Sequence, residues 1–416
     1  VYFPLERLMD LAARELNIDP IELRRRNLVQ TAEMPYRTAS GPLLDSGDYG
    51  RSLARAVDAG RLAELIARRD LARAGGRLYG IGCAAVVEPS ISNMGYITTL
   101  LTPEQRNKAG PKNGALASAT VSFDPSGSIT VNTASVPQGQ GHRTVLAQVV
   151  ADALGVHPST IVVSADHDTI KDFWSIASGN YSSRFAGAVA GAAHLAATKL
   201  RERLTRIAAA DLNIPLDEVE FGDGKVFARG NPDNALPIAR LAAKAHWSPL
   251  SVPDEAGAGL RETAIWTMPE LTEPDEADRI NSSGCYGFIF DICGVEIDPV
   301  TSAVRIDKYV TLHDAGRLLN PMLANGQIRG GFSNALGAAL YEELAYAPDG
   351  SFLSGTLVDY LPPTACEAPD LLILHASSQI GRASVRERVY ISVVPVSLKK
   401  KRTIKQKRRK RDKNTK

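Results

Sequence analysis

Apolar side chains recur at helical spacing through PLERLMDLAAREL (4–16), which predicts a helix there. Asp19-Pro20 then offers a cap and a first helical residue for a second short helix, PIELRRRN. MPYRTASGPLLDSGDYG is polar and carries Gly and Pro, as connecting segments do, and helical spacing returns from Ser46 to about Ala74. Beyond Gly75 the period shortens to that of strands. RLYGIGCAAVVE reads as a strand in which Gly80 and Gly82 suggest a bulge or a close backbone approach. ALASATVSFD and SITVNTASV alternate on either side of PSG and predict a hairpin.

Farther along, RTVLAQVVADALG predicts a helix and TIVVSA a buried strand. A loop covers DHDTIKDFWSIASGNYSS, and a long Ala-rich helix is expected from Arg184 to about Leu212. VEFGDGKVFA is an Asp-Gly hairpin, and CYGFIFDICGVEID pairs with AVRIDKYVTLHD around PVTS. GQIRGGFSNALGAALYEEL begins in glycines and continues as a helix. Hairpins outnumber crossovers, so the expected class is α+β, with mixed sheets and packed helices rather than a doubly wound parallel sheet.

Composition narrows the function classes. A chain of 416 residues, 44% hydrophobic and 6% aromatic, is long enough for two or three cores and is neither disordered nor fibrous in character. No run reaches the roughly 20 apolar residues that span a bilayer, and VYFPLERLMDLAARELN lacks an export-signal pattern, so a cytoplasmic setting is expected. Cys83, Cys285, Cys293 and Cys366 form no CxxC pair, which predicts reduced, mostly buried thiols rather than zinc, iron–sulfur or disulfide chemistry. No protein metal ligands are expected.

The net charge of +2 conceals an asymmetry. The stretch from Gln379 onward carries 15 Lys and Arg against Glu387 and Asp412, a charge of +13, which leaves −11 on residues 1–378. KKKRTIKQKRRKRDK could be a nucleic-acid or localisation patch. IGRASVRERV, however, resembles the translated read-through of a sequencing adapter. Residues 379–416 are therefore expected to be a non-native, disordered tail, and no nucleic-acid partner is assigned.

Candidate chemistry gathers in three loops at strand-to-helix junctions, where unpaired backbone N–H groups favour phosphate or a polar heterocycle. The first is Gln138-Gly139-Gln140-Gly141-His142, whose glycines allow close approach and whose amides donate and accept; it is not GxGxxG. The second is Ser178-Gly179-Asn180-Tyr181-Ser182-Ser183-Arg184. Capping by Ser182 or Ser183 would explain its polarity, but an Arg opening a helix suggests a facing anion. The third runs from Asp314-Ala315-Gly316 through Asn320-Pro321 to Gly326-Gln327-Ile328-Arg329-Gly330-Gly331. His313 is more simply structural than a general base, and no Ser/His/Asp order appears.

Taken in order, these segments resemble the molybdenum-cofactor-binding large subunits of the xanthine dehydrogenase, aldehyde oxidase and carbon monoxide dehydrogenase superfamily. ERLMDLAARELNIDPIELRRRNLV with MPYRTASGPLLDSGDY is similar to the stretch joining the family's two molybdopterin-binding domains. QGQGHRT resembles the QGQGHET signature, with Arg143 where Glu is usual. HDTIKDFWSIASGNYSSRF, GVEIDPVTSAVRIDKYVTLHDAGRLLNP, GQIRGG, ALYEE and LVDYLPPTACEAPD follow in the family's order, with Ala315 where many members have Cys.

The resemblance implies a molybdopterin-type fold with the end of a first domain over 1–75 and a second over 76–378. It implies a molybdenum–molybdopterin cofactor, in the cytosine dinucleotide form, contacted by Gln138, Gly139, Gln140, Gly141, His142, Asn180, Tyr181, Ser182, Ser183, Arg184, Asp314, Gly316 and Gln327. It further implies oxidation of an aldehyde, N-heterocycle or similar small-molecule carbon with oxygen from water, assisted by a glutamate base. Electrons would pass to iron–sulfur and FAD subunits of a hetero-oligomer dimerised through its large subunits. The family's Gly-Glu motif is expected beyond LPPTACEAPDLLILHASS and does not follow here, so the chain reads as an incomplete, inactive piece with no catalytic residue to assign. A molybdopterin-binding scaffold that never turns over is the alternative.

Overall fold

The computed structural model describes residues 2–112, 114–170 and 180–378. Helices α1 (Tyr2–Glu15) and α2 (Pro20–Asn27) lead into a short ladder of β1 (Tyr36–Arg37) and β2 (Leu43–Leu44), then α3 (Tyr49–Ala59) and α4 (Leu62–Ala74). β3 (Leu78–Ser92) precedes α5 (Pro103–Ala109), β4 (Leu116–Phe123), β5 (Ile129–Asn132), α6 (His142–Leu154) and β6 (Ile161–Ser164). After α7 (Ala190–Leu212) come β7 (Val219–Gly222), β8 (Lys225–Ala228), β9 (Asn231–Pro237) and α8 (Ile238–Trp247). The order closes with β10 (Arg261–Thr267), β11 (Ser283–Ile297), β12 (Val304–Asp314), α9 (Pro321–Leu336) and β13 (Leu371–Ala376).

The class is α+β, as expected. Two four-stranded sheets, β10-β4-β5-β6 and β13-β12-β11-β3, stand beside a three-stranded β7-β8-β9. Each four-stranded sheet is antiparallel apart from one parallel pair, β5 with β6 and β12 with β13. Along β4 burial alternates residue by residue, sending Ala117, Ala119, Val121 and Phe123 into the core. The small side chains Ala192, Ala193, Ala196 and Ala197 let α7 pack closely there. A second core joins Phe288, Phe290 and Ile292 of β11 with Val310 and Leu312 of β12, covered by Tyr49, Leu53 and Ala56 of α3 and Leu65 of α4.

One buried cation fastens the first two helices. Arg24, 2% exposed, donates from Nε to Glu6 Oε2 at 2.8 Å and from Nη2 to Asp10 Oδ1 at 3.0 Å. The same Glu6 oxygen accepts from the Ala85 amide at 2.9 Å, so α1 and α2 are tied to β3.

Several expectations need correction. The stretch Ser46–Ala74 is two helices, because Gly60 closes α3 and Arg61 turns left-handed at φ 53° before α4. Gly80 and Gly82 sit in regular pairing opposite Val295 and Cys293, with open space where a Cβ would lie. The irregularity is instead on the far side of β11, between Gly294 and Val295. β6 is an edge strand with Val162 exposed, not a buried one. A π-helical turn, Phe185–Val189, precedes α7 where a regular helix is expected. α9 starts at Pro321, where the Asn320 side chain accepts from the Leu323 amide, so Gly326 and Gly330 lie inside it. Of the thiols, Cys285 and Cys293 are buried, Cys83 half-buried and Cys366 exposed. The basic tail lies outside the described residues.

Candidate functional site

The first contact loop leaves β5 through Ser135 and Val136 and closes on itself. The Gln138 amide donates to Gln140 Oε1 at 2.5 Å. Gly139 (φ +97°) and Gly141 (φ +86°) are left-handed, which only glycine adopts freely. A Cβ on Gly139 would meet nothing within 4 Å, whereas one on Gly141 would lie 2.6 Å from Leu323 Cδ1 of α9. Gly139 thus keeps an open side, and Gly141 lets α9 come close.

His142 begins α6 and is fully buried. Its ring stacks on Phe185, centroids 3.6 Å apart and planes 6° from parallel. Nδ1 lies 3.3 Å from the Ser135 carbonyl, which makes it the protonated nitrogen. Nε2 is then an acceptor, and it is buried with no hydrogen-bond partner in the protein. Burial pushes the imidazole down to about 4, so it is neutral at neutral pH.

The second segment is anchored to the first. Asn180 Oδ1 accepts from Ser135 Oγ at 3.2 Å, and its Nδ2 donates to the Val136 carbonyl at 2.5 Å. Ser182 and Ser183 are both left-handed, at φ 57° and 47°. Arg184 is fully buried, and its Nε donates to the Ser92 carbonyl at 2.9 Å while its guanidinium lies 3.5 Å from the Tyr181 ring centroid. The sequence suggested an arginine facing an anion from a helix start; the structure sets it in the interior, where it secures the turn. Ser178 and Gly179 lie outside the described residues.

The third segment divides. Asn320 Nδ2 donates to Gln148 Oε1 at 3.0 Å, joining the start of α9 to α6. Gln327, farther along α9, meets the first two segments: a cavity of about 200 Å³ is lined by Gln138, Gln140, His142, Asn180, Ser183 and Gln327, among others. Asp314 and Gly316 line a separate pocket of about 30 Å³ with Tyr49, Tyr286 and Ser378, room for about one water. Asp314 Oδ1 there accepts from the Ser378 amide at 3.2 Å. His313 is buried with Nε2 2.9 Å from Thr311 Oγ1, a structural placement. Sequence reasoning missed Phe185 and Ser135, whose parts depend on contacts distant in the chain.

A pterin edge alternates N–H donors with ring-nitrogen and carbonyl acceptors, and the cavity answers with three glutamine amides, an asparagine amide and a hydroxyl. The orphaned His142 Nε2 is a buried acceptor on the same wall. These residues fit a polar heterocycle, and the volume suits one ring system rather than a whole dinucleotide. Among the described residues no group of three or more His, Cys, Asp or Glu could hold a metal, and no helix is long and apolar enough to cross a membrane.

A family model described as the molybdopterin cofactor-binding domain matches residues 55–369. The chain is similar to the nicotine 6-hydroxylase large subunit of Paenarthrobacter nicotinovorans, 31% identical over 89% of this chain and 42% of that protein. It is 28% identical to the carbon monoxide dehydrogenase large chain of Hydrogenophaga pseudoflava, over 94% of this chain and 46% of that one. Among solved structures it resembles quinoline 2-oxidoreductase from Pseudomonas putida 86, with a TM-score of 0.74 and 31% identity over 89% of this chain and 44% of that one. The chain spans less than half the length of these relatives.

Proposed function

The chain belongs to the molybdopterin cofactor-binding domain family found in molybdenum-binding large subunits of molybdenum hydroxylases, and from that premise we propose how it holds the cofactor. The pterin would be held by Gln138–His142 on one side and Asn180–Arg184 on another, with Gln327 on the third. By the family resemblance Asp314 and Gly316, which here line the separate one-water pocket, would also contact the cofactor, in its cytosine dinucleotide form. The observation that carries this reading is the convergence of polar side chains from three separate segments on one cavity.

When bound, the group supplies two-electron oxidation of a carbon with oxygen derived from water. This chain's own residues bind and orient: the Gln138, Gln140 and Gln327 amides donate and accept along the pterin edge, and neutral His142 accepts through Nε2. No residue of the chain is assigned as general base. The whole protein acts on an aldehyde, N-heterocycle or similar carbon in a cytoplasmic setting. It passes electrons to iron–sulfur and FAD partner subunits in a hetero-oligomer dimerised through its large subunits. Residues 1–75 close a first molybdopterin domain and 76–378 form the second.

The test is the cofactor content of the chain purified from a bacterial host that makes the cofactor. Acid–iodine oxidation followed by pterin fluorescence, with molybdenum by mass spectrometry, is expected to give near-equimolar amounts of both. A folded chain carrying neither contradicts the reading.

A further inference from the structure

The wall of the cavity formed by the second segment is an unfavourable piece of backbone. Ser182 and Ser183 are consecutive non-glycine residues at positive φ, a conformation that is strained for a side chain bearing a Cβ and persists only where the surroundings impose it. Facing them is a third strained residue. Ile91, at the end of β3, has φ +57°, an outlier for a β-branched side chain, and the β3–β11 ladder passes over it while pairing Ser90 with Cys285 and Ser92 with Ser283. Ile91 fills the space left by Gly187, where a Cβ would come within 2.3 Å of Ile91 Cδ1.

Ser92 joins the two strained places. Its hydroxyl lies 2.5 Å from Ser182 Oγ and 2.6 Å from Ser283 Oγ, and its carbonyl accepts from both Nε and Nη2 of Arg184. One buried residue on the strand therefore grips the turn by its side chain at Ser182 and by its main chain at Arg184. Ser183, between those two holds, lines the cavity. Ser90 makes the contrast: it is buried too, two residues earlier on the same strand, yet its Oγ has no hydrogen-bond partner in the protein.

We propose that Ser92 is a positioning residue that holds the Asn180–Arg184 turn in its left-handed form, so that the cavity wall is set before the cofactor arrives. The clamp is a property of the protein alone. Its benefit to cofactor binding rests on the reading given under Proposed function.

The experiment is hydrogen exchange on the cofactor-free full chain, read at peptides covering 180–189, for Ser92→Ala, Ser182→Ala, Ser92→Thr and Ser90→Ala. Loss of a hydrogen bond near the strong end of the usual range predicts about tenfold faster exchange there in Ser92→Ala and Ser182→Ala. Ser92→Thr, which keeps the hydroxyl, should restore wild-type exchange, and Ser90→Ala should leave it unchanged. Ser182→Ala serves should Ser92→Ala fail to fold. Unaltered exchange in both hydroxyl-removing variants overturns the clamp, as does equal acceleration in Ser90→Ala, which would make the effect mere packing. Pterin content is measured separately, on wild type and the same variants purified from a host that makes the cofactor. A wild-type chain without pterin sinks the functional reading and leaves the exchange result standing, whereas a loaded wild type with unaltered variants sinks the clamp alone.

Discussion

The His142 and Phe185 rings lie face to face, 3.6 Å apart, and this stack joins the two cavity-lining segments from inside the protein. His142 opens α6, and Phe185 opens the π-turn that leads into α7. An imidazole held this way is kept neutral, since burial pushes it down to about 4.

That depression has a sign in stability. Burial also pushes His313 down to about 4, and pushes the Asp291 carboxyl up to about 6. Between about pH 6.5 and 4 the unfolded histidines bind protons that the folded ones refuse, so stability is full above that window and falls through it on acidification. Asp291 opposes this below about pH 6, where its folded form binds the extra proton. His142→Gln should remove one proton from the slope, about 1.4 kcal/mol per pH unit, in urea unfolding followed from pH 7 to 4.5. A slope equal to wild type would show that His142 is not held neutral.

The two loop glycines should separate folding from binding. Gly141→Ala meets Leu323 as well as left-handed strain, and is expected to cost roughly 2–4 kcal/mol in thermal or chemical unfolding. Gly139→Ala projects a methyl into open space, so it should cost only the roughly 1–2 kcal/mol of strain while lowering retained pterin severely. Equal stability losses with pterin content preserved would remove Gly139 from the site.

Much of this was legible from the chain because local chemistry and tertiary need agree. Asp19 caps α2 through the Ile21 and Glu22 amides, PSG closes the β4–β5 hairpin, and the QGQGH loop leads into α6 as its glycines require. The break at Gly60-Arg61 was not legible: Arg61 turns left-handed at φ 53°, and a Cβ on Gly60 would lie 3.2 Å from Val310 Cγ2, a contact distant in sequence. The glycines of α9 suggested a loop, yet Asn320 and Pro321 form the true start. For the site, Gln138, Gln140, His142, Asn180, Ser183 and Gln327 were all anticipated and meet in one cavity. That Asp314 and Gly316 line another pocket could not be read, since it depends on how β12 ends against Tyr49 and Ser378.

Arg24 tests how the N-terminal helices are fastened. Replacing it with Met leaves Glu6 and Asp10 half-buried without their cation, and is expected to cost about 3–5 kcal/mol. Exchange protection of the β3 amide at Ala85, which donates to Glu6, should fall with it. Loss below about 1 kcal/mol would mean that α1 and α2 are held by apolar contact alone.

The central claim is that three separate segments make one cofactor site. Its most direct measurement is pterin content in Gln140→Ala, Asn180→Ala and Gln327→Ala, each compared with wild type at matched folding. All three should lose most of the pterin while far-ultraviolet dichroism and thermal unfolding of Gln140→Ala and Gln327→Ala stay close to wild type. Full retention in the Gln327 variant, with loss confined to the other two, would contradict the three-sided site.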